Sequence, residues 1–343
     1  MSRMGIVIIG RNEGERLRKC LQSVRDCGPM VYVDSGSSDG SVEAARSLGA
    51  EALVLDTSVP FSAARARNEG FARLMELWPD VEFVQFVDGD CEIVPQWPAA
   101  AVAALSGAPD VAAVCGRLRE RFPDATVYNR LCDMEWTVSP GEVDSCGGIA
   151  MYRTDAFAKA GGFDARVIAG EEPELCVRLR RAGHRILRLA DEMGWHDAAM
   201  TRFSQWWRRA VRSGHAYAQG AHMHGRSPQR HWVREVRSNW LWGLWIPAAM
   251  LAAAWPTFGI SLILLAMGYA ALGLKVVHYR RRTHHDPASH AAMYALFVVL
   301  GKFAAVQGQL KFHINRLRGR QTGIIEYKQP VPAPAAEACG TDA

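Results

Sequence analysis

The apolar run at residues 81–87 reads as a buried strand, and it ends in Asp88-Gly89-Asp90, two carboxylates one residue apart. In open α/β sheets ligands bind at the carboxyl ends of strands. Two hard oxygen donors there suit Mg²⁺ or Mn²⁺, and such an ion in turn holds substrate phosphates. The plainer alternative is a surface turn, since Asp-Gly is a common turn pair. Further residues point at the same edge. A second apolar run at 30–33 leads into Asp34-Ser35-Gly36-Ser37-Ser38-Asp39-Gly40-Ser41, where Asp34 is placed to accept bonds from a base or ribose and Asp39 reads as a helix N-cap. Arg11-Asn12-Glu13 follows the first apolar run at an equivalent position, which brings Asn12 and Glu13 into the crevice. Arg67, in Ala66-Arg67-Asn68, reads equally as a bidentate clamp for a diphosphate and as part of a solvated helix face.

Three later stretches carry chemistry of their own. Ser145-Cys146-Gly147-Gly148-Ile149 offers bare backbone against which a sugar can lie, or simply a turn before a strand. Gly170-Glu171-Glu172-Pro173-Glu174-Leu175 sets three carboxylates just before or at the start of a helix. They suit the positive end of the helix dipole. They also suit a general base, because neighbouring carboxylates raise one another's pKa. Trp195-His196-Asp197 follows the last strand of this half, and His196 is either a metal or diphosphate ligand or a structural residue.

The elements that must position these groups alternate. Strands are expected at 4–9, 30–33, 52–55, 81–87, 111–118, 149–152 and 185–189. Helices are expected at 13–25, 41–48, 61–77 and 174–182, with a less regular insert at 119–146. This alternation implies a mostly parallel sheet covered on both faces. The eight cysteines are scattered with no Cys-x-x-Cys pair, which argues against zinc or redox motifs and for small core residues in a reducing compartment. The first residues run straight into a strand without a signal-peptide core, so the N-terminal half is expected in the cytosol.

Charge divides the chain. Residues 1–199 carry a net −8 and residues 200–343 a net +13, within a total of +5. An acidic catalytic half and a basic half that meets a membrane or polyanion follow from that asymmetry. A helix rich in Arg and Trp is expected at 201–219. Residues 239–274 then contain no charged residue over 36 positions. One helix of that length overshoots a bilayer, which needs about 20 residues. A hairpin turning near 255–259 fits better, with Arg234 and Arg237 before it and Lys275 and Arg280-Arg281-Arg282 after it placing both ends on the cytoplasmic side. The stretch 288–313 is apolar but broken by Lys302 and Lys311, so it reads as an interfacial amphipathic helix, one leaning on the hairpin, or a span. The Pro/Ala-rich tail 329–343 is expected to be disordered.

Taken in order, Val7-Ile8-Ile9-Gly10-Arg11-Asn12-Glu13, Val33-Asp34-Ser35-Gly36-Ser37-Ser38-Asp39-Gly40-Ser41, Ala66-Arg67-Asn68, Asp88-Gly89-Asp90, Gly161-Gly162-Phe163-Asp164 and Gly170-Glu171-Glu172-Pro173-Glu174-Leu175 resemble a membrane-associated bacterial family 2 glycosyltransferase over roughly residues 4–215. The resemblance implies an α/β GT-A fold, a nucleotide-sugar-binding mixed sheet flanked by helices at residues 1–225. A helical membrane-associated region would follow at 226–328. It implies inverting transfer of one sugar from a nucleotide-sugar to a hydroxyl of a lipid-linked or glycan acceptor, in cell-surface polysaccharide or glycolipid synthesis at the cytoplasmic face of the inner membrane, with no nucleic-acid partner. Carried over, Asp34 contacts the nucleoside, Asp88 the ribose or sugar, and Asp90 the Mg²⁺ or Mn²⁺ ion, with Asp88 and His196 as further candidate ligands. Glu172 stands where the family has its Asp base, and Glu171 is its rival. Gly10-Arg11 replaces the family's frequent Pro-Thr or Pro-Ser pair. Gln205-Trp206-Trp207-Arg208-Arg209 keeps the Gln and Arg of the processive Gln-x-x-Arg-Trp motif but not its Trp, which favours single-sugar transfer. The alternatives are a sugar nucleotidyltransferase, whose Gly-rich, basic N-terminal loop is missing here, and a non-catalytic membrane subunit of a polysaccharide complex, against which the intact carboxylates argue.

Overall fold

The computed structural model describes residues 3–320 and 322–326; the tail 329–343 and Cys339 lie outside the described residues. Among the described residues nine strands form one mixed sheet. In chain order they are β1 (Met4–Gly10), β2 (Met30–Asp34), β3 (Glu51–Val54), β4 (Phe83–Asp88), β5 (Cys91–Ile93), β6 (Val111–Glu120), β7 (Gly141–Glu142), β8 (Ala150–Arg153) and β9 (Arg185–His196). Their spatial order is β3-β2-β1-β4-β8-β6-β9-β5, with β7 paired to β9. β1 to β4 pair in parallel, and β8 runs antiparallel to both β4 and β6. The apolar runs of β1, β2 and β4 are buried on both faces, as parallel strands covered by helices must be.

Helices α1 (Glu15–Val24), α2 (Ser41–Ser47), α3 (Ala63–Leu77), α4 (Trp97–Gly107), α5 (Val127–Trp136), α6 (Thr154–Lys159) and α7 (Glu171–Arg181) connect the strands. Gly70 lets α3 lie against the sheet. A Cβ there would sit 2.5 Å from a methyl of Val7 and 2.7 Å from one of Val33.

Several elements depart from the sequence expectation for identifiable reasons. α7 begins at Glu171 rather than Glu174, because Pro173 falls in the first turn, where a missing N–H breaks no helical bond. β9 runs on to His196 through polar Asp191 and Glu192, since pairing with β6 and β5 continues past the apolar stretch. The insert holds a helix, α5, whose first turn is capped by Thr126, with Asn129 N donating to Thr126 Oγ1 at 3.1 Å. β5, α4 and α6 are short or lack a strong apolar period and went unforeseen.

Beyond the sheet come α8 (Phe203–His224), α9 (Val233–Trp240), a π-helical turn at Leu241–Trp245, α10 (Ile246–Ala252), α11 (Ile260–Thr283) and α12 (Ala288–Leu317). The π turn sits directly before Pro247, whose missing N–H interrupts the regular ladder. Tyr269 of α11 donates to the carbonyl of Trp242 inside that turn at 2.6 Å, stitching the two arms of the hairpin together. The hairpin turns where the sequence places it. At its tip Trp255 is 91% and Phe258 97% exposed. Arg280 is not a free flanking charge. It is buried, its Nε donates to Asp286 at 2.5 Å, and its Nη1 donates to the Met134 carbonyl of α5 at 3.1 Å. α12 leans on α8 along much of its length. A Cβ on Gly308 would lie 2.0 Å from the Val211 carbonyl, and one on Gly214 would lie 2.2 Å from that of Ala305, so the two backbones touch. α11 and α12 are both long and apolar enough to cross a membrane, but they differ in cover: 6% of the most apolar stretch of α11 is buried in the molecule against 33% for α12.

Candidate active site

The ends of β1, β2 and β4 lie level, with Ile9 opposite Asp88 and Gly10 opposite Asp34. They open onto a cavity of about 590 Å³ whose wall includes Asn12, Glu13, Arg67, Asp88, Asp90, Gly147, Gly148, Glu171 and Glu172. Seven of the nine residues singled out in the sequence thus line one crevice; Asp34 lies behind the loop at its edge, and His196 touches it through Asp90.

At one end the loops are fixed from within. Asp34 is buried; its carboxylate accepts from Tyr32 OH at 2.9 Å, Gly36 N at 2.9 Å and Ser37 N at 2.7 Å. It shapes the loop, and Ser35 is the residue of this segment on the cavity wall. Asn12 Oδ1 accepts from Ser38 N at 2.8 Å, and Asn12 N donates to Ser37 Oγ at 2.9 Å, which holds Asn12 at φ 55°. Glu13 is paired with Arg16 at 2.6 Å. The N-cap of α2 is Gly40 rather than Asp39, because the cap residue there takes a left-handed conformation (φ 78°); Asp39, one residue earlier, accepts from Ser41 N at 3.1 Å and from Gly14 N at 2.9 Å, which ties α2 to the start of α1.

In the centre Arg67 is only 2% exposed, which rules out the solvated-face alternative. Its Nη2 donates to Asp88 at 2.7 Å and its Nη1 to Glu171 at 2.5 Å. Burial works against the guanidinium charge, but the carboxylates of Asp88 and Glu171 outweigh it and raise its pKa. Arg67 therefore spends its fork on two site carboxylates and sets their spacing. Gly148 lies against this trio. A Cβ there would be 3.2 Å from Arg67 Nη2 and 3.3 Å from Asp88 Oδ2.

Next to it, His196 Nε2 lies 3.4 Å from Asp90 Oδ2, and His196 Nδ1 lies 3.4 Å from Glu120 Oε2. Glu120 is fully buried at the end of β6 and accepts from Ala198 N at 3.1 Å. The Trp136 ring packs against the imidazole in a T-shaped contact, 4.7 Å between centroids. A carboxylate behind one imidazole nitrogen with the other aimed at a second carboxylate is the usual arrangement around a ligating histidine. Adjacent ligand atoms around an octahedral ion are about 3 Å apart, so the Asp90–His196 pair fits a divalent cation. Glu120 escaped the sequence reading because it sits in an ordinary polar stretch, and only the β6–β9 pairing brings it beside His196.

The glutamates of α7 have separate partners. Glu172 is buried; it accepts from Cys146 N at 2.6 Å, Gly147 N at 2.9 Å and the Cys176 thiol at 2.9 Å. Burial raises its pKa against these hydrogen bonds, and Glu171 adds to the rise. Glu174 does not reach the cavity wall. It binds Arg178 at 2.6 Å and His224 at 2.8 Å, fastening α8 to α7. Burial also pushes the Cys176 thiol up to about 11 and Cys146 well above its ordinary value, so neither is a ready nucleophile. Gln205 caps α8, accepting from Thr201 N at 2.8 Å and Arg202 N at 3.0 Å.

Two further parts of the wall were not foreseen as part of the site, although the first lies on the Arg- and Trp-rich helix expected at 201–219. Arg209, Arg212, Ser213 and Tyr217 come from α8. Ile324 and Glu326 come from the segment after α12, which returns to the crevice; Arg11 pairs with Glu326 at 2.7 Å.

The profile of glycosyl transferase family 2 matches residues 5–161. Similar solved structures include a mannosyltransferase from Pyrobaculum calidifontis, PcManGT, in complex with GDP-Man and Mn²⁺, at 22% identity and a TM-score of 0.57 over 86% of each chain. They also include residues 1–349 of TarS from S. aureus in complex with UDP, at 14% identity and a TM-score of 0.51 over 92% of each chain. Among curated proteins, a TPR repeat-containing protein of Synechococcus elongatus is 33% identical over 95 residues, 27% of this chain and 22% of that protein, so the match spans about a fifth of that relative. With the mixed sheet, the carboxylates at its strand ends and the profile match in agreement, residues 5–161 match glycosyl transferase family 2 and the sheet has the GT-A fold of the similar solved structures.

Proposed function

We propose that this protein is an inverting, metal-dependent glycosyltransferase that moves one sugar from a nucleotide-sugar to a hydroxyl of a lipid-linked or glycan acceptor at the cytoplasmic face of the cell membrane. The observation that carries this reading is the convergence of Asp88, the Asp90–His196–Glu120 relay and the Glu171–Glu172 pair on one cavity. The loops fixed by Asn12 and Asp34 form the nucleoside end, with Glu13 beside them. Asp90 and His196 would hold Mg²⁺ or Mn²⁺, with Asp88 adjacent; the P. calidifontis mannosyltransferase holds Mn²⁺ with GDP-Man. When bound, that ion supplies positive charge to the departing diphosphate.

The protein's own groups do the rest. The backbone of Gly147 and Gly148 leaves room for the sugar. Arg67 holds Asp88 and Glu171 in place rather than gripping the diphosphate itself. Glu172 takes the proton from the acceptor hydroxyl as that oxygen attacks the anomeric carbon. It is better suited than Glu171: it has no cationic partner among the described residues, whereas Glu171 is paired with Arg67, and burial makes it a stronger base than an ordinary glutamate. Three donors already reach its carboxylate, which has about four acceptor positions, so one remains for the hydroxyl.

The test is incubation of the purified full chain with a panel of nucleotide-sugars, with and without Mn²⁺. Release of nucleoside diphosphate from at least one donor is expected only with the ion, and Asp90→Asn should lower it at least about a hundredfold. Turnover that ignores both the ion and the Asp90→Asn change would refute the metal assignment, and no turnover with any donor would refute the enzyme reading.

A further inference from the structure

A second cavity, of about 480 Å³, lies between α5, α8, α9 and α12. It shares Arg209, Ser213 and Tyr217 with the first, so the two meet along one face of α8. Nothing in the reaction so far uses it, yet it is equipped to bind. Asn239 is 4% exposed and lies on its wall, and its side-chain Nδ2 has no hydrogen-bond partner among the described residues. A buried amide without a partner is destabilising and calls for a ligand or water. Beside it Lys302 interrupts the apolar α12, donating to Ser238 Oγ at 3.0 Å and Asn239 Oδ1 at 3.1 Å. Glu135 and Glu235 balance Arg209 and Lys302 on the cavity wall, with Arg209 paired to Glu135 at 2.8 Å. Trp206, Tyr294 and Phe297 supply ring surface.

Resting on the glycosyltransferase reading above, we infer that this cavity is the acceptor subsite and that it takes an uncharged sugar unit rather than the phosphate of a bare lipid carrier. A phosphate would bring two negative charges into a pocket whose own charges already cancel. A sugar hydroxyl both donates and accepts, and so matches a wall that mixes carboxylates with an amide and an ammonium group. The carbon-bound face of a pyranose suits the ring surface. The shared wall of α8 then leads from the bound acceptor to Glu172.

The test is saturation-transfer NMR on the full chain in nanodiscs. The probes are the methyl glycosides, both anomers, of glucose, galactose, mannose, N-acetylglucosamine, N-acetylgalactosamine and rhamnose, with citronellyl phosphate as the anionic comparator. At least one glycoside is expected to bind saturably. Asn239→Leu and the gentler Glu235→Gln should each weaken it at least tenfold while melting normally and binding nucleoside diphosphate with Mn²⁺ as before. The inference fails if no glycoside binds. It also fails if binding ignores both variants, or if citronellyl phosphate is the probe they displace. Loss of nucleotide binding in the unaltered chain would instead strike at the glycosyltransferase reading itself.

Discussion

Glu171 and Glu172 are neighbours in sequence, but one faces a buried arginine and the other faces two amides and a thiol. That difference turns a repeated residue type into two roles. Glu172→Gln should keep donor binding and lose transfer by roughly 10²–10⁴-fold, the usual weight of general base catalysis. Equal loss in donor affinity would mean that it positions the donor instead. The pH dependence has a definite sign. Burial raises the Glu172 pKa, so the ionised base persists only above that raised value. The acid limb of kcat should therefore lie above the ordinary glutamate range, and a limb at or below it would assign the base elsewhere. Arg67 makes a different prediction. Replacing it with Met leaves Asp88 and Glu171 facing each other without their cation. Breaking a buried pair costs about 3–5 kcal/mol, towards the lower end here because Asp88 is partly exposed. A melting temperature within a degree of the unaltered chain's would show that Arg67 is not the brace between them.

Among the elements, the contact of α8 with α12 is the one on which the second cavity depends. Gly308 permits it. Gly273 on α11 serves as a control, because a Cβ there would meet nothing within 4 Å. Gly308→Val should destabilise by at least about 1–3 kcal/mol, the ordinary cost of overpacking, and Gly273→Val by much less; equal melting of the two variants would deny the close approach. The sequence made the parallel half of the sheet readable because β1, β2 and β4 are continuous apolar runs ending in polar loops. It also placed the hairpin turn, because Trp255-Pro256 and Gly259 interrupt a long uncharged stretch. What it hid depends on pairing across distance. β9 continues through polar residues only because β5 and β6 hold it. Glu120 becomes a partner of His196 only through that pairing, and Arg280 looks like a flanking charge until Asp286 and Met134 are seen to bury it. Lys302, which argued against a simple crossing, is accounted for by Ser238, Asn239 and the docking of α12 on α8.

For the whole molecule, the decisive contrast is between α12, a third of whose most apolar stretch is buried, and the almost bare α11 of the hairpin. α11 spans 24 residues, about 36 Å at the helical rise of 1.5 Å per residue, enough for the roughly 30 Å core of a bilayer. Its outward residues Ile263 and Met267 are each 61% exposed, and Trp255 and Phe258 crown the tip. An uncovered apolar surface of this kind marks an interaction site, and the basic flanks Arg281 and Arg282 beside it favour a lipid surface. The full chain should therefore sediment with membranes and stay there in high salt or alkali. Electrostatic attachment of the basic half alone would be screened within about 8 Å at physiological ionic strength and less above it. Cutting the chain near residue 225 would also strip α12 and the Ile324–Glu326 wall from the crevice, so it cannot separate anchoring from catalysis. Substituting the exposed side chains does so more cleanly. Trp255→Ser, Phe258→Ser, Ile263→Gln and Met267→Gln together leave the packed faces alone. They should move the protein into the soluble fraction with nucleotide binding intact and transfer to a membrane-held acceptor reduced. Recovery of the unaltered chain from the supernatant without detergent, as a monomer, would overturn both the membrane hairpin and the lipid-linked acceptor.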